Sequence, residues 1–194
     1  MIRIANTLDK QTKINIFRLH KICLPDDILP NLYYKHYQII LDEITNFNNG
    51  FFILSENNKK IDGALFIELK NDFIKKIALR YPFLTLVSLI KISILNPQKL
   101  TEIISIGKSR INSANVDDAA EIFAFFISSD RQGKGLGTEM LKKAYSIMSD
   151  NNIRSLVTKT SSKKALEFYL GKGFKKITSQ KRGQRIFTIL LKKL

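Results

Sequence analysis

The sequence predicts an α/β (α+β) chain, one domain over residues 1–194, with a mixed central sheet and helices packed on it. Three observations carry this. A length of 194 residues suits one domain able to bury well over half of its unfolded surface. A strongly apolar segment, Ala120–Ile127, runs into a glycine-rich turn and then an amphipathic helix. From there strand and helix patterns alternate, and the segments around Ile127 and Val157 read as parallel strands of a right-handed βαβ unit.

Taken in order, Ile2–Asn6 alternates like a short strand, and Lys10–Cys23 spaces Ile14, Phe17 and Ile22 as an amphipathic helix ending before Pro25. A second helix starts near Pro30 and carries Tyr33, Tyr37, Ile40, Leu41 and Ile44. Phe51–Ser55 and Ile61–Leu69 form a hairpin across the polar turn Glu56–Lys59. From Asn71 to Ile106 the pattern is helical, broken at Pro82 and Pro97, with no strand signal. Its apolar residues are assigned to core, with a substrate-facing wall or a homodimer contact as other uses. The helix Leu136–Asn151 turns Met140, Leu141, Ala144, Tyr145 and Met148 inward. Ile153–Thr158 is a strand, Ser161–Leu170 a helix, and Gly173–Thr178 and Arg185–Leu191 are strands.

Composition narrows the class. The net charge is +15, but lysine outnumbers arginine 24 to 8 and the cations spread along the whole chain. They read mainly as solvated surface that also attracts polyanions, and no nucleic-acid motif accompanies them. One cysteine, Cys23, cannot form an internal disulfide, which fits a reducing cytoplasm. The N-terminus shows no signal-peptide pattern, and the longest apolar run, Phe83–Leu95, is too short to span a bilayer and contains Lys91. His20 and His36 lack metal-ligand spacing, so no metal is expected, and Cys23 reads as buried rather than nucleophilic.

The chemistry sits in Ser128–Thr138. Glycines let a backbone approach a ligand, and the first N–H groups of a helix lack internal partners. With the helix dipole they make an anion site, here suited to a pyrophosphate. The spacing Gly133-Lys134-Gly135-Leu136-Gly137 is not that of a dinucleotide fingerprint, and Gly137-Thr138-Glu139 is not the end of a nucleotide-triphosphate loop. Instead, Gln132-x-x-Gly135-x-Gly137 resembles the coenzyme A loop of GNAT acetyltransferases. The run from Ala165 through Phe168-Tyr169 to Gly173-Phe174 is similar to the C-terminal motif of the same family. The resemblance is strong from Ala120 to Phe174, moderate at the hairpin and weak from Asn71 to Asn115.

The resemblance implies a mixed sheet with splayed strands, a helical insertion at about 71–106, acetyl-CoA as co-substrate and a small-molecule amine as acceptor. The amides of Gln132, Gly133, Lys134, Gly135, Leu136, Gly137 and Thr138 would hold the pyrophosphate. The pantetheine arm would lie along Phe125, Phe126 and Ile127, near Phe168, and the N–H of Ile127 would polarise the thioester carbonyl. Glu121 is implied as the base that frees the amine, and an apolar cleft would raise its pKa. Tyr169 is implied as the acid that protonates the departing thiolate. Ser162 stands where the family often has asparagine; it can cap the following helix and reach the cofactor. Tyr33, Tyr34 and His36 occupy the variable acceptor side. The 71–106 insertion resembles enzymes of surface-polysaccharide synthesis, which points to an amino sugar or sugar nucleotide. A protein amine, a polyamine, or acyl-CoA binding without turnover are the alternatives.

Overall fold

A computed structural model describes residues 1–46, 50–58, 60–69, 73–108 and 119–194. Its elements are β1 (Ile2–Ala5), α1 (Lys10–Cys23), α2 (Tyr34–Asn46), β2 (Gly50–Asn57), β3 (Lys60–Glu68), α3 (Phe73–Arg80), α4 (Pro82–Leu95), α5 (Pro97–Lys108), β4 (Ala119–Ile127), α6 (Leu136–Asp150), β5 (Ser155–Thr160), α7 (Lys163–Leu170), β6 (Lys175–Arg182) and β7 (Arg185–Lys193). The strands form one sheet in the order β1-β2-β3-β4-β5-β7-β6. Only β4 and β5 pair in parallel; every other neighbour is antiparallel. That is the expected mixed sheet.

Local chemistry sets the bounds. Asp9 caps α1 by accepting from the N–H of Thr12, and the helix stops at Leu24, before Pro25. Pro82 and Pro97 stand at the first positions of α4 and α5, where a missing N–H costs nothing, so the helical middle divides where its prolines fall. Elsewhere the boundaries differ from expectation. The Pro30 segment is a 3-10 turn, Leu29–Asn31, and the helix proper waits until Tyr34. The hairpin strands run further into the polar turn than expected, leaving Asn58 with φ of 49° at its tip; Lys59 lies outside the described residues. The β5 strand starts at Ser155 rather than Ile153, because Asn152 turns left-handed and the Ile153 N–H returns to the Met148 carbonyl, closing α6.

Each face of the sheet carries a helical layer. Ile16, Leu19, Tyr37, Leu41 and Ile44 of α1 and α2 pack on Phe52, Leu54, Phe66, Ala124 and Phe126. Met140, Leu141, Ala144 and Met148 of α6, with Tyr169 of α7, pack on Ile53, Leu65, Ile67 and Ile122. A bulge lets β4 serve both layers. Phe66 faces Ala124 while Ile67 faces Ile122, so Phe123 is the extra residue. Among the described residues no helix is long and apolar enough to cross a membrane.

One polar cluster is sealed inside the first layer. The ring of His20 is fully buried and stacks on Phe126 at 4.4 Å; its Nδ1 lies 3.0 Å from the Tyr37 hydroxyl and its Nε2 3.0 Å from Asp27 Oδ2. With both ring nitrogens partnered, His20 is a satisfied core histidine, and it fixes the end of α1 against β4. Tyr37→Phe leaves a ring nitrogen buried without a partner. The expected loss is about 1–3 kcal/mol, seen as a melting temperature lower by roughly 3–10 °C; an unchanged melting curve would remove the cluster from the stability of this layer.

Candidate functional site

A gap in the sheet organises the site. The β4 strand pairs with β5 only from Ala119–Ser155 to Ile122–Thr158. Beyond that point β5 continues beside β7, and β4 continues beside β3 alone. The two parallel strands therefore splay. The orientation of the freed main-chain groups follows from register. The Ser128 N–H bonds to the Asp62 carbonyl, so Asp62 and Ser128 are a hydrogen-bonded pair. Such pairs alternate with non-bonded ones in an antiparallel ladder, and Gly63 faces Ile127 while Leu65 faces Phe125. The N–H and C=O groups of Ile127 and Phe125 thus point away from β3, into the gap. Phe126 differs: its main chain turns to β3 and its ring lies in the other layer, against His20.

The turn that follows β4 is built to leave amides free. Ser129–Arg131 is a 3-10 turn; Gly133 and Gly135 take φ of 74° and 84°, and α6 starts at Leu136. Among the described residues, none of the five N–H groups from Gly133 to Gly137 has a main-chain partner, whereas those of Thr138 and Glu139 already bond to the Gly135 carbonyl. A side chain at Gly133 or Gly135 would enter open space. Gly137 serves packing instead. A methyl there would stand 3.2 Å from both Ile127 Cδ1 and Phe168 Cζ, so its bare Cα lets α6 approach β4 and α7. Gln132 anchors the turn, its amide donating to the Ile127 carbonyl at 2.8 Å and its oxygen accepting from Lys164 at 2.6 Å. The exposed side of the loop carries Lys134. Arg131 Nε sits 3.1 Å from a carboxylate oxygen of buried Asp62, an ion pair too bent for a hydrogen bond. Neither Lys164 nor Asp62 is visible as a loop partner in the sequence, since each is brought in from a distant element.

Apolar side chains line the gap beside this turn. The rings of Phe125 and Phe168 lie 6.0 Å apart, and Phe168 meets Tyr169 edge-on at 5.4 Å. Ser162 caps α7 by accepting from the Ala165 N–H, as expected of it. Tyr169 is buried, and its hydroxyl shares a hydrogen bond with Thr158, the last β5 residue paired to β4. Burial pushes its phenol up to about 12, the bond to Thr158 pulling the other way, so it stays protonated at neutral pH. Cys23 donates to the Ile127 carbonyl at 3.4 Å, and burial raises its thiol, which removes thiolate character.

Glu121 does not sit in the apolar cleft expected for it. Lys159 Nζ stands 2.7 Å from its carboxylate, and both side chains are mostly buried. It lies in the paired half of β4, six residues before Ile127, roughly 20 Å along the strand. The charge network extends from there. Burial lowers the pKa of Arg182, and both Glu121 and Glu102 oppose that. Glu102 in turn pairs with Arg185 at 3.4 Å. These residues lead to a cleft of about 260 Å³ lined by Asp26, Asn96, Gln98, Lys99, Glu102, Gln184 and Arg185.

The three residues expected on the acceptor side do not converge. Tyr33 is exposed, Tyr34 packs edge-on against Phe17, and His36 is buried with Nδ1 2.9 Å from Ser88 Oγ. Burial lowers the pKa of His36. The cleft instead joins the segment after α1, the start of α5 and the β6–β7 turn, three stretches that no local pattern links.

Comparisons with known proteins agree with this architecture. A family model described as an acetyltransferase (GNAT) domain matches residues 93–193, just over half of the chain. No curated protein matches by sequence. Among solved structures, a polyamine N-acetyltransferase of Drosophila melanogaster superposes with a TM-score of 0.65 at 12% identity, covering 100% of both chains. The ribosomal-protein-S18-alanine N-acetyltransferase of Escherichia coli gives 0.62 at 12%, covering 100% of this chain and 94% of its own. A GNAT-family acetyltransferase from Streptococcus pneumoniae gives 0.61 at 17%, covering 100% and 99%. At such identities the likeness speaks for the fold.

The burial of Tyr169 has a measurable consequence. Its phenol titrates at 10.0 in the unfolded chain and at about 12 in the fold, so the stability it supplies is full below pH 10 and is lost as pH rises through 12. Denaturant unfolding of the wild type between pH 10 and 12 should therefore lose about 2 kcal/mol more than that of Tyr169→Phe. Parallel decline of the two proteins would mean that the hydroxyl is solvated.

Proposed function

Because the chain belongs to the acetyltransferase (GNAT) domain family, we propose that it moves an acetyl group from acetyl-CoA to a primary amine, by direct attack in a ternary complex. The observation that carries this is the run of five partnerless N–H groups at Gly133–Gly137, set at the mouth of the gap between β4 and β5. Free amides at a helix start, with open space over Gly133 and Gly135, fit a pyrophosphate. Lys134 and Lys164 add positive charge beside it. The gap-facing groups of Phe125 and Ile127 fit an amide-bearing arm, with Phe168 against it. When bound, acetyl-CoA supplies an activated thioester.

The chain's own groups then have definite roles. The Ile127 N–H is the donor for negative charge on the carbonyl oxygen. Tyr169, neutral and held by Thr158, is the proton donor to the leaving sulfur. Glu121, roughly 20 Å along the strand from Ile127, would take the amine's proton only as the far end of a water chain, and Lys159 must release its carboxylate, or share the proton, for that step.

The acceptor reading is an amino sugar or sugar nucleotide. The cleft mixes the carboxylates of Asp26 and Glu102 with the cations of Lys99 and Arg185, and adds the amides of Asn96, Gln98 and Gln184. Amides serve hydroxyl groups, carboxylates an ammonium, and the cations a phosphate. A polyamine, the acceptor named for the Drosophila relative, would meet the carboxylates of Asp26 and Glu102 there but also two cations of its own sign, Lys99 and Arg185. A supply of acetyl-CoA and the lone cysteine fit the cytoplasm.

Asparagine tolerates a left-handed backbone, so Gly135→Asn keeps the fold while placing a side chain over the amides. Its acetyl-CoA affinity by calorimetry should fall at least about tenfold, and an unaltered affinity would remove the loop from cofactor binding. In a thiol-release assay, amino sugars and their nucleotide conjugates should outpace spermidine and agmatine. Tight acetyl-CoA binding with no release for any amine would instead indicate a binding module. Tyr169→Phe should lower kcat by about 10²-fold or more with little change in affinity. For Glu121→Gln the expected result is loss of the acidic limb of the pH–rate profile, and a retained limb would assign the proton to another route.

A further inference from the structure

Asp62 is a carboxylate with no local reason to be buried. It is 5% exposed, and both its oxygens and the Nε of Arg131 are buried side-chain atoms without a hydrogen bond. Charge alone joins the two residues, at 3.1 Å. Burying an ion pair takes two hydrated charges out of water, and apolar residues of similar volume commonly serve stability as well or better. Stability therefore gives no account of this pair. Its place in the fold does.

The pair stands behind the glycine turn. Side chains alternate along β3: Ala64 belongs to the core under α1 and α2, while the bare Cα of Gly63 faces Met140 of α6. Asp62 hence turns toward the α1–α2 layer, as does Ser128 opposite it. Leu136 packs in the other layer, with α6. The chain between Ser128 and Leu136 thus crosses over the end of β4 from one face of the sheet to the other, and the free amides lie on that crossing. Its far end is fixed by Gly137, which lets α6 close on Ile127 and Phe168. Its near end is fixed at Asp62 twice, the carbonyl taking the Ser128 N–H at 2.9 Å and the carboxylate taking the charge of Arg131. Arg131 also returns its own N–H to the Ser128 carbonyl at 2.9 Å, so residues 128–131 form one closed turn seated on β3.

We infer that Asp62 is the positioning residue of the cofactor turn: through Arg131 it sets where the Gly133–Gly137 amides stand when they meet a diphosphate. The role rests on the diphosphate reading of that turn given above. Asp62 itself stays buried and acts only through Arg131. A guanidinium released from Asp62 would be free to turn to the phosphates, so the two uses of Arg131 have opposite consequences.

Calorimetry with coenzyme A, below the melting temperature of each variant, separates them. Asp62→Asn keeps the size of the side chain and removes its charge, and should weaken coenzyme A binding by about tenfold or more. Were Arg131 a direct phosphate ligand, the same variant would bind as well as the wild type or more tightly, and either result overturns the role. Arg131→Met should lose about as much as Asp62→Asn, and Arg131→Lys, which keeps a cation for Asp62, should regain most of that loss. A lysine variant as weak as the methionine one overturns the role. The double variant Asp62→Asn with Arg131→Met buries no lone charge and carries the test should Asp62→Asn not fold. It should lose no more than either single change, because the two residues act as one unit; losses that add, or a double variant with wild-type affinity, overturn the role. Failure of the wild type to bind coenzyme A would instead strike the diphosphate reading of the turn, and the role of Asp62 with it.

Discussion

Strand β4 cannot pair along its whole length on both sides, and the rest of the molecule is arranged around that constraint. Its first four residues share a ladder with β5; its last four bond only to β3. A half-open strand inside a sheet is costly, because a main-chain group without a partner loses a hydrogen bond's worth of free energy. The fold meets the cost in part: Gln132 and Cys23 both donate to the Ile127 carbonyl. The remaining groups are left for a ligand. The glycine turn extends the same unpaired polarity from the end of the strand into the start of α6, so that strand edge and helix start form one continuous row of donors.

The other layer acts as a rigid backing. His20 couples α1 to α2 through Tyr37 and to the following segment through Asp27, while its face rests on Phe126. Since Phe126 alternates with Phe125 and Ile127, holding it on one side aims its two neighbours at the gap. The bulge at Phe123 makes this possible by exchanging the faces of the strand midway. It also leaves Glu121 in register with Val157, within reach of Lys159 on β5. The Lys159 ammonium stands 2.7 Å from that carboxylate, with both side chains mostly buried. Any proton transfer by Glu121 is therefore coupled to Lys159 and, through Arg182 and Glu102, to the polar cleft.

Local signals in the chain are legible; signals made by distant segments are not. The α1 bounds, the breaks at Pro82 and Pro97 and the turn from β4 into α6 each follow from a cap, a proline or a glycine within a few residues. The splay is expected only through resemblance to a family, for no local pattern announces where a ladder stops. The β6 strand reads too short in the sequence because it is an exposed edge with lysine, serine and glutamine on it, and burial gives it no alternation to read. Tyr33, Tyr34 and His36 look like a cluster in sequence, yet Tyr33 precedes the helix and is exposed, Tyr34 packs on Phe17, and Ser88 takes up His36. Lys159 as the partner of Glu121 and the cleft shared by Asp26, Glu102 and Arg185 depend on contacts across the sheet order. The apolar residues of α4 read as core for the same reason, yet Phe83, Leu86, Ile90 and Ile94 stand exposed: hydrophobicity identifies a helix that packs, and only the fold shows on which side.

The central claim is that main-chain nitrogens after β4 hold a diphosphate and that the open edge of β4 receives the arm attached to it. A crystal structure of the complex with coenzyme A measures this most directly. Pyrophosphate oxygens are predicted at about 3 Å from amide nitrogens of the Gly133–Gly137 turn, with pantetheine amides bonded to Phe125 and Ile127. A diphosphate seated elsewhere, with those nitrogens bonded only to water, would contradict it.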